Sequence, residues 1–179
     1  VLDLKYSSFV GMYPIPIRYG LTIGELAKMI VGEKWIKSIP KLHVIKMQNW
    51  KRNMVFDETN LPWTKPSPNI PDVETAIIYP GMCLLEATNM SEGRGTFQPF
   101  KIVGSPWYYD EITMDMNGMN LSGVKFKKNK FKPKSIKGMS ENPKYLDQKC
   151  IGLKTIILDQ SNFNSVETPL FLASANIIS

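Results

Sequence analysis

The sequence has one histidine, His43, and two cysteines, and no apolar run that approaches the ~20 residues a membrane-spanning helix needs. With one histidine and no G-x-S-x-G elbow, a Ser-His-Asp or Cys-His hydrolytic machine has too few parts. His43 alternates with Leu42 and Val44 in an apparent strand, which suits a structural position. Cys83 and Cys150 have neither CxxC spacing nor a neighbouring histidine, which argues against a zinc site. Two buried free thiols are one reading and, for an exported protein, a disulfide is the other. A secretory leader is absent and the chain opens on Val1 rather than Met. Ser165 to Ser179 ends while still apolar, with helical character. Chain missing from both ends is therefore expected.

What is present is ordinary globular composition, 43% hydrophobic and 21% charged over 179 residues, enough for one domain with a real core. No repeat or low-complexity tract interrupts it. The net charge of +6 is local. Seven lysines (Lys125, Lys127, Lys128, Lys130, Lys132, Lys134 and Lys137) fall in a stretch without acids, and the remaining 15 Lys and Arg face 16 Asp and Glu. Such a stretch is either a solvated strand face or a binding patch for an anionic polymer, not a general nucleic-acid-binding composition.

Tyr13-Pro14-Ile15-Pro16 excludes a helix over residues 1–20. Thr22 and Glu25 form a capping-box pattern, and Ile23, Leu26, Ala27 and Ile30 put one apolar face on a helix that Gly32 stops. Leu42–Met47 reads as a strand. Residues 48–71 are a long loop rich in aromatics and prolines, and a loop of that length is functional or disordered. Asp72 caps a short helix through Tyr79 that Pro80-Gly81 ends. Short strands are predicted at Cys83–Leu85 and Phe100–Val103, and a poor helix at residues 110–119. A strand over Val124–Lys132 is predicted with a bulge at Lys128–Lys130, because Phe131 breaks the parity of Val124 and Phe126. Strand Ile151–Leu158 and helix Glu167–Ile178, with Pro169 in its first turn, complete an α/β or α+β domain.

Three segments concentrate polar groups among glycine, proline and tryptophan: Tyr13–Gly20, Trp50–Asn69 and Tyr79–Thr96. In the third, Glu92 and Arg94 flank Gly93, with Glu86, Asn89, Ser91 and Thr96 close in sequence. Such a loop either lines a sugar cleft or is a salt-bridged structural turn. Trp50 and Trp63 are either core or stacking platforms for a sugar face. Arg18, Arg52 and Arg94 have the fork geometry for a ligand carboxylate, such as the lactyl group of muramic acid. Glu86 and Glu92 form a candidate hydrolytic carboxylate pair.

Together these segments resemble the NamZ-type exo-β-N-acetylmuramidase family. The likeness runs through Ser8–Arg18, Leu21–Leu26, Trp50-Lys51-Arg52, Asp57-Glu58-Thr59, Leu61-Pro62-Trp63 and Pro66–Pro71. It is strongest in Tyr79-Pro80-Gly81, Leu85–Asn89 and Ser91–Thr96, followed by Pro99-Phe100 and Gly104–Trp107. The resemblance implies a C-terminal part of a two-part protein whose N-terminal Rossmann-like domain is largely missing. Residues 1–20 would be the connector and 21–179 a C-terminal substrate-binding domain. It also implies exo-acting release of N-acetylmuramic acid from non-reducing ends of peptidoglycan fragments, a periplasmic or secreted location, no metal and no organic cofactor. One wall of the cleft would be lined by Arg18, Tyr19, Trp50, Arg52, Trp63, Ser67, Asn69, Glu86, Asn89, Ser91, Arg94 and Thr96, with Glu92 as catalytic carboxylate. The partners implied are muramic-acid glycosides and the protein's own N-terminal domain, not nucleic acid. Two departures stand out. Tyr19 stands where relatives often carry His, and Phe97-Gln98 follows Thr96 where relatives vary or carry a basic residue; the family's Gly-Pro-Glu-His-Gly motif, its leading source of a catalytic acid, belongs to the N-terminal part and is absent here. A non-catalytic peptidoglycan-binding module is the alternative, and an anionic-polymer binder using Lys125–Lys137 is a third.

Overall fold

The structure, a computed structural model, describes residues 3–9, 11–16, 19–38, 41–109 and 111–178. It divides into two compact units, Val1–Thr59 and Asn60–Ser179. The expected boundary after residue 20 falls inside the first.

The first unit is built on one helix, α1 (Ile23–Gly32). Its capping box forms as the sequence predicts: Glu25 N donates to Thr22 Oγ1 at 3.2 Å, and Thr22 N donates to Glu25 Oε2 at 2.8 Å. Both orphan donors at the helix start are thereby satisfied. Tyr13 stacks on Trp35 with ring centroids 4.7 Å apart and donates its hydroxyl to Trp35 O. Short 3₁₀ turns stand at Leu4–Tyr6 and Phe56–Thr59. No described residue of this unit is buried. The expected apolar face is only half covered, with Ile23 84% exposed. The predicted strand Leu42–Met47 is not one: the segment is irregular and Ile45 is 96% exposed. A β-strand exists only through a ladder partner, and none pairs here among the described residues. Val44 alone turns in, so close that a Cβ on Gly24 would lie 2.5 Å from its Cγ1.

The second unit is a three-stranded antiparallel sheet in the order β1-β3-β2, covered by helices: an α+β layer arrangement. The strands are β1 (Ile102–Ser105), β2 (Val124–Phe131) and β3 (Cys150–Ile157); the helices are α2 (Val73–Met82), α3 (Glu111–Gly118) and α4 (Glu167–Ile178). Ile78 and Met82 of α2, Met116 of α3 and Leu172 of α4 pack into one core with Phe126 and Leu153 of the sheet. The expected bulge in β2 is absent, since pairing with β3 runs one to one from Val124↔Ile157 to Phe131↔Cys150. Phe131 simply lies on the opposite face from Phe126 and is half-buried, which explains the parity without an extra residue. Asn117 of α3 covers the free edge of β2 by bonding both Phe126 N and Phe126 O, at 2.9 and 2.8 Å.

Two predictions fail around Pro80. Helix α2 runs through it to Met82, and Cys83–Ala87 continues as a 3₁₀ turn rather than a strand. Pro80 lies in the last turn, where it removes a helical N–H donor, and Ile78, Met82 and Leu85 are each at most 1% exposed. Burial of those three side chains, roughly 1.5–3 kcal/mol each, outweighs the proline.

Candidate functional site

The segment from Leu85 to Thr96 is the best-built polar region of the second unit. Ser91 exchanges two backbone hydrogen bonds with Gly104 of β1, at 2.8 and 3.0 Å, so the loop is sewn to the sheet. Gly93 has φ +82°, and a Cβ there would meet Ile102 O at 2.6 Å. Gly95 has φ +79°, and a Cβ there would meet Lys134 O at 2.7 Å. Both glycines are therefore required, for conformation and for room.

This tight path turns Glu92 inward and leaves Arg94 partly out. Glu92 is 3% exposed. Its Oε1 lies 3.4 Å from Arg94 Nε and its Oε2 lies 3.5 Å from Lys144 Nζ, with no hydrogen bond to the latter oxygen. Arg94 Nη2 also donates to Glu86 Oε1 at 2.9 Å, and its guanidinium stands 5.1 Å over the Phe100 ring. One arginine thus joins the two carboxylates expected as a hydrolytic pair.

Lys144 was not foreseen. Its Nζ sits among the carbonyls of Leu85, Glu86, Thr88 and Met90 at 3.2, 2.9, 2.9 and 3.0 Å. One ammonium thereby collects the acceptors that a 3₁₀ turn and its continuation leave orphaned. Tyr145 donates its hydroxyl to Asn89 O, and Lys134 N donates to Gly95 O at 2.9 Å. Asn69, 4% exposed, donates to Met139 O at 2.8 Å and leaves its Oδ1 unbonded. The segment 133–147 therefore clamps both the Ser67–Asn69 turn and the Leu85–Thr96 loop. Backbone carbonyls have no sequence signature, so nothing in the sequence marks Lys144 for this role.

Of the expected site residues, Glu86, Glu92 and Arg94 come together, with Ser91 buried beneath them and Thr96 closing the turn onto Gly93 O. Asn89 is exposed beside them. Ser67 Oγ accepts from Asn69 N at 3.3 Å. Trp63 is half-buried, with its indole N–H on Ile70 O. In the first unit Arg52 donates to Glu25 Oε1 and Gly20 O and stands 5.4 Å over the Trp50 ring. A groove of about 1300 Å³ there is lined by residues including Trp50, Arg52 and His43. Tyr19 is 39% exposed. Arg18 lies outside the described residues.

Cys83 and Cys150 are free thiols. Burial pushes the Cys83 thiol up, with Glu86 adding to the effect, so it is no ready nucleophile. Burial also raises the Tyr79 hydroxyl, again with Cys83 and Glu86 contributing. The Cys150 thiol, 1% exposed, is pushed by burial from 9.0 up to about 11. A raised folded value stabilises the protein fully below pH 9 and is lost as pH climbs towards 11, on the order of 2–3 kcal/mol. Urea midpoints between pH 7.5 and about 10.5 should therefore fall more steeply for the protein than for Cys150→Ala; parallel curves would refute this.

Residues 1–74 match the family model described as exo-beta-N-acetylmuramidase NamZ, N-terminal, and residues 77–177 match the corresponding C-terminal model. The chain is 42% identical over 171 residues to the peptidoglycan beta-N-acetylmuramidase NamZ of Bacillus subtilis (strain 168), covering 95% of this chain and 39% of that protein. A crystal structure of a DUF1343 family protein from Bacteroides fragilis NCTC 9343 superposes with TM-score 0.88 at 31% identity, over 99% of this chain and 45% of that one. A second DUF1343 protein of the same organism gives TM-score 0.70 at 36% identity, over 98% and 44%. The chain spans less than half the length of each of these relatives. Its sequence places the chain in the exo-β-N-acetylmuramidase NamZ family.

Proposed function

We propose that the parent protein is an exo-acting glycoside hydrolase that releases N-acetylmuramic acid from the non-reducing ends of peptidoglycan fragments, and that this chain supplies one wall of its cleft. The observation that carries this reading is the Glu86–Arg94–Glu92 group on a doubly glycine-constrained loop. Arg94 is the fork that meets the substrate's lactyl carboxylate, and Glu92 holds that fork in place. Glu92 is the residue here on which turnover depends. Asn89 and Thr96 offer groups to sugar hydroxyls, with Trp63 as a stacking face. The protein acts in the periplasm or outside the cell, and its partner within the same protein is the rest of the N-terminal domain whose family model residues 1–74 match. One observation favours the second reading, a sugar-binding module without chemistry: both carboxylates of the loop are already engaged by Arg94.

The test is turnover of a chromogenic β-N-acetylmuraminide by the full-length protein, with and without Glu92→Gln. The expected result is a loss of at least ~10²-fold in kcat, with folding retained by circular dichroism. Unchanged turnover removes Glu92 from the machinery. An inactive full-length parent that still binds muramic acid in calorimetry supports the binding module.

A further inference from the structure

We propose that the outer sheet face around Lys127 and Lys154 binds a linear phosphodiester polymer without bases. The sequence suggests one run of seven lysines, but the structure disperses it. Lys132 pairs with Asp147 at 3.2 Å, and the Lys134 backbone is occupied in clamping Gly95. Four of the lysines lie on β2, an edge strand, where positive charge guards against strand-to-strand aggregation. That explanation does not reach Lys154. It sits on the central strand β3, directly opposite Lys127 in the register. Like charges facing each other across a ladder destabilise a sheet. Among the described residues neither lysine forms an ion pair. Both line a cleft of about 390 Å³ together with Gln98, Lys128 and Asn129. Among the described residues Glu74 is the sole acid lining that cleft, and Lys101 Nζ already holds it at 3.1 Å.

Two facing ammonium groups with amide donors beside them form a receptor for a phosphate oxyanion. Lys125 repeats the charge on the same face of β2, roughly 7 Å along the strand, so successive phosphates of one polymer can be met. Among the described residues, none that lines the cleft is aromatic. Nucleobases would therefore find no stacking platform, and the chemistry favoured is a polyol phosphate rather than a single-stranded nucleic acid.

The experiment is a calorimetric titration of the protein with a poly(glycerol phosphate) oligomer over a range of salt, beside the Lys127→Gln/Lys154→Gln double variant. The double variant should bind at least tenfold more weakly, with a log affinity against log salt slope shallower by one to two. Its melting temperature should hold or rise, because a like-charge pair is relieved. Lys65→Gln, an exposed lysine outside the cleft, should bind as the parent does. Unchanged affinity in the double variant overturns the proposal, and so does equally tight binding of an oligo-dT strand. A lowered melting temperature with unchanged affinity assigns the two lysines to the fold instead.

Discussion

Lys144→Met is expected to destabilise the Asn60–Ser179 unit by about 3 kcal/mol and to loosen the Leu85–Thr96 loop out of proportion to the rest. The three N–H groups of the ammonium are shared among four carbonyls, and its charge faces the carboxylate of Glu92 at 3.5 Å. Methionine keeps the length of the side chain and removes every one of those interactions. The carbonyls lie partly within reach of water, because the Lys144 side chain is 32% exposed, and water replaces some of what is lost. The Glu92 side chain, at 4%, has no such recourse and keeps only Arg94. Stripping a partner from a buried charge costs ~3–5 kcal/mol, and the partial exposure of Lys144 puts this case at the low end. Urea unfolding gives the magnitude. Hydrogen exchange at the amides of residues 86–95 shows whether the loss is local. Adding Glu92→Gln removes the stranded charge, so the double variant should be less destabilised than the two single changes summed. Strict additivity, or a cost under about 1 kcal/mol for Lys144→Met alone, would show that Lys144 does not hold the loop.

Gly93→Ala should be equally damaging by a different route. The residue sits at φ +82°, where an L side chain costs about 1–2 kcal/mol in backbone strain. The added methyl would also lie 2.6 Å from Ile102 O and 2.8 Å from Ile102 Cγ1, and Ile102 is fixed in β1. Backbone cannot retreat as a flexible side chain can, so the loop must detach from the sheet edge instead. A total of about 3–4 kcal/mol follows when overpacking is added. In the full-length protein the variant should lose turnover at temperatures where it is still folded, because Glu92 and Arg94 flank the displaced residue. A melting temperature within a degree or two of the parent would contradict this account. Gly20, also at positive φ, has no atom within 4 Å of its would-be Cβ, and Gly20→Ala should show the strain cost alone.

Local signals were legible where one short stretch contains both halves of an interaction. Thr22 and Glu25 specify a capping box within four residues, Asp72 caps α2, and the apolar run of β3 and the helix over Glu167–Ile178 lie within one residue of where the sequence puts them. The Glu92-Gly93-Arg94-Gly95 pattern likewise marks a tightly turned, ion-paired loop, because the glycines permit positive φ and the charges lie two residues apart. Signals failed where the deciding partner is remote. Leu42–Met47 has strand composition and, among the described residues, no strand beside it. Pro80 should stop a helix, yet the buried side chains around it keep the turn going. Phe131 mimics a bulge until the register with Cys150 is seen. The sequence by itself determined the capped helices, the loop of carboxylates and arginine, and the family. Tertiary structure alone decided that Glu92 turns inward, that Lys144 clamps the loop from 52 residues away, and that Lys154 meets Lys127 across the sheet. Side-chain periodicity is local, whereas charge pairing and carbonyl satisfaction are set by which backbone the fold brings near.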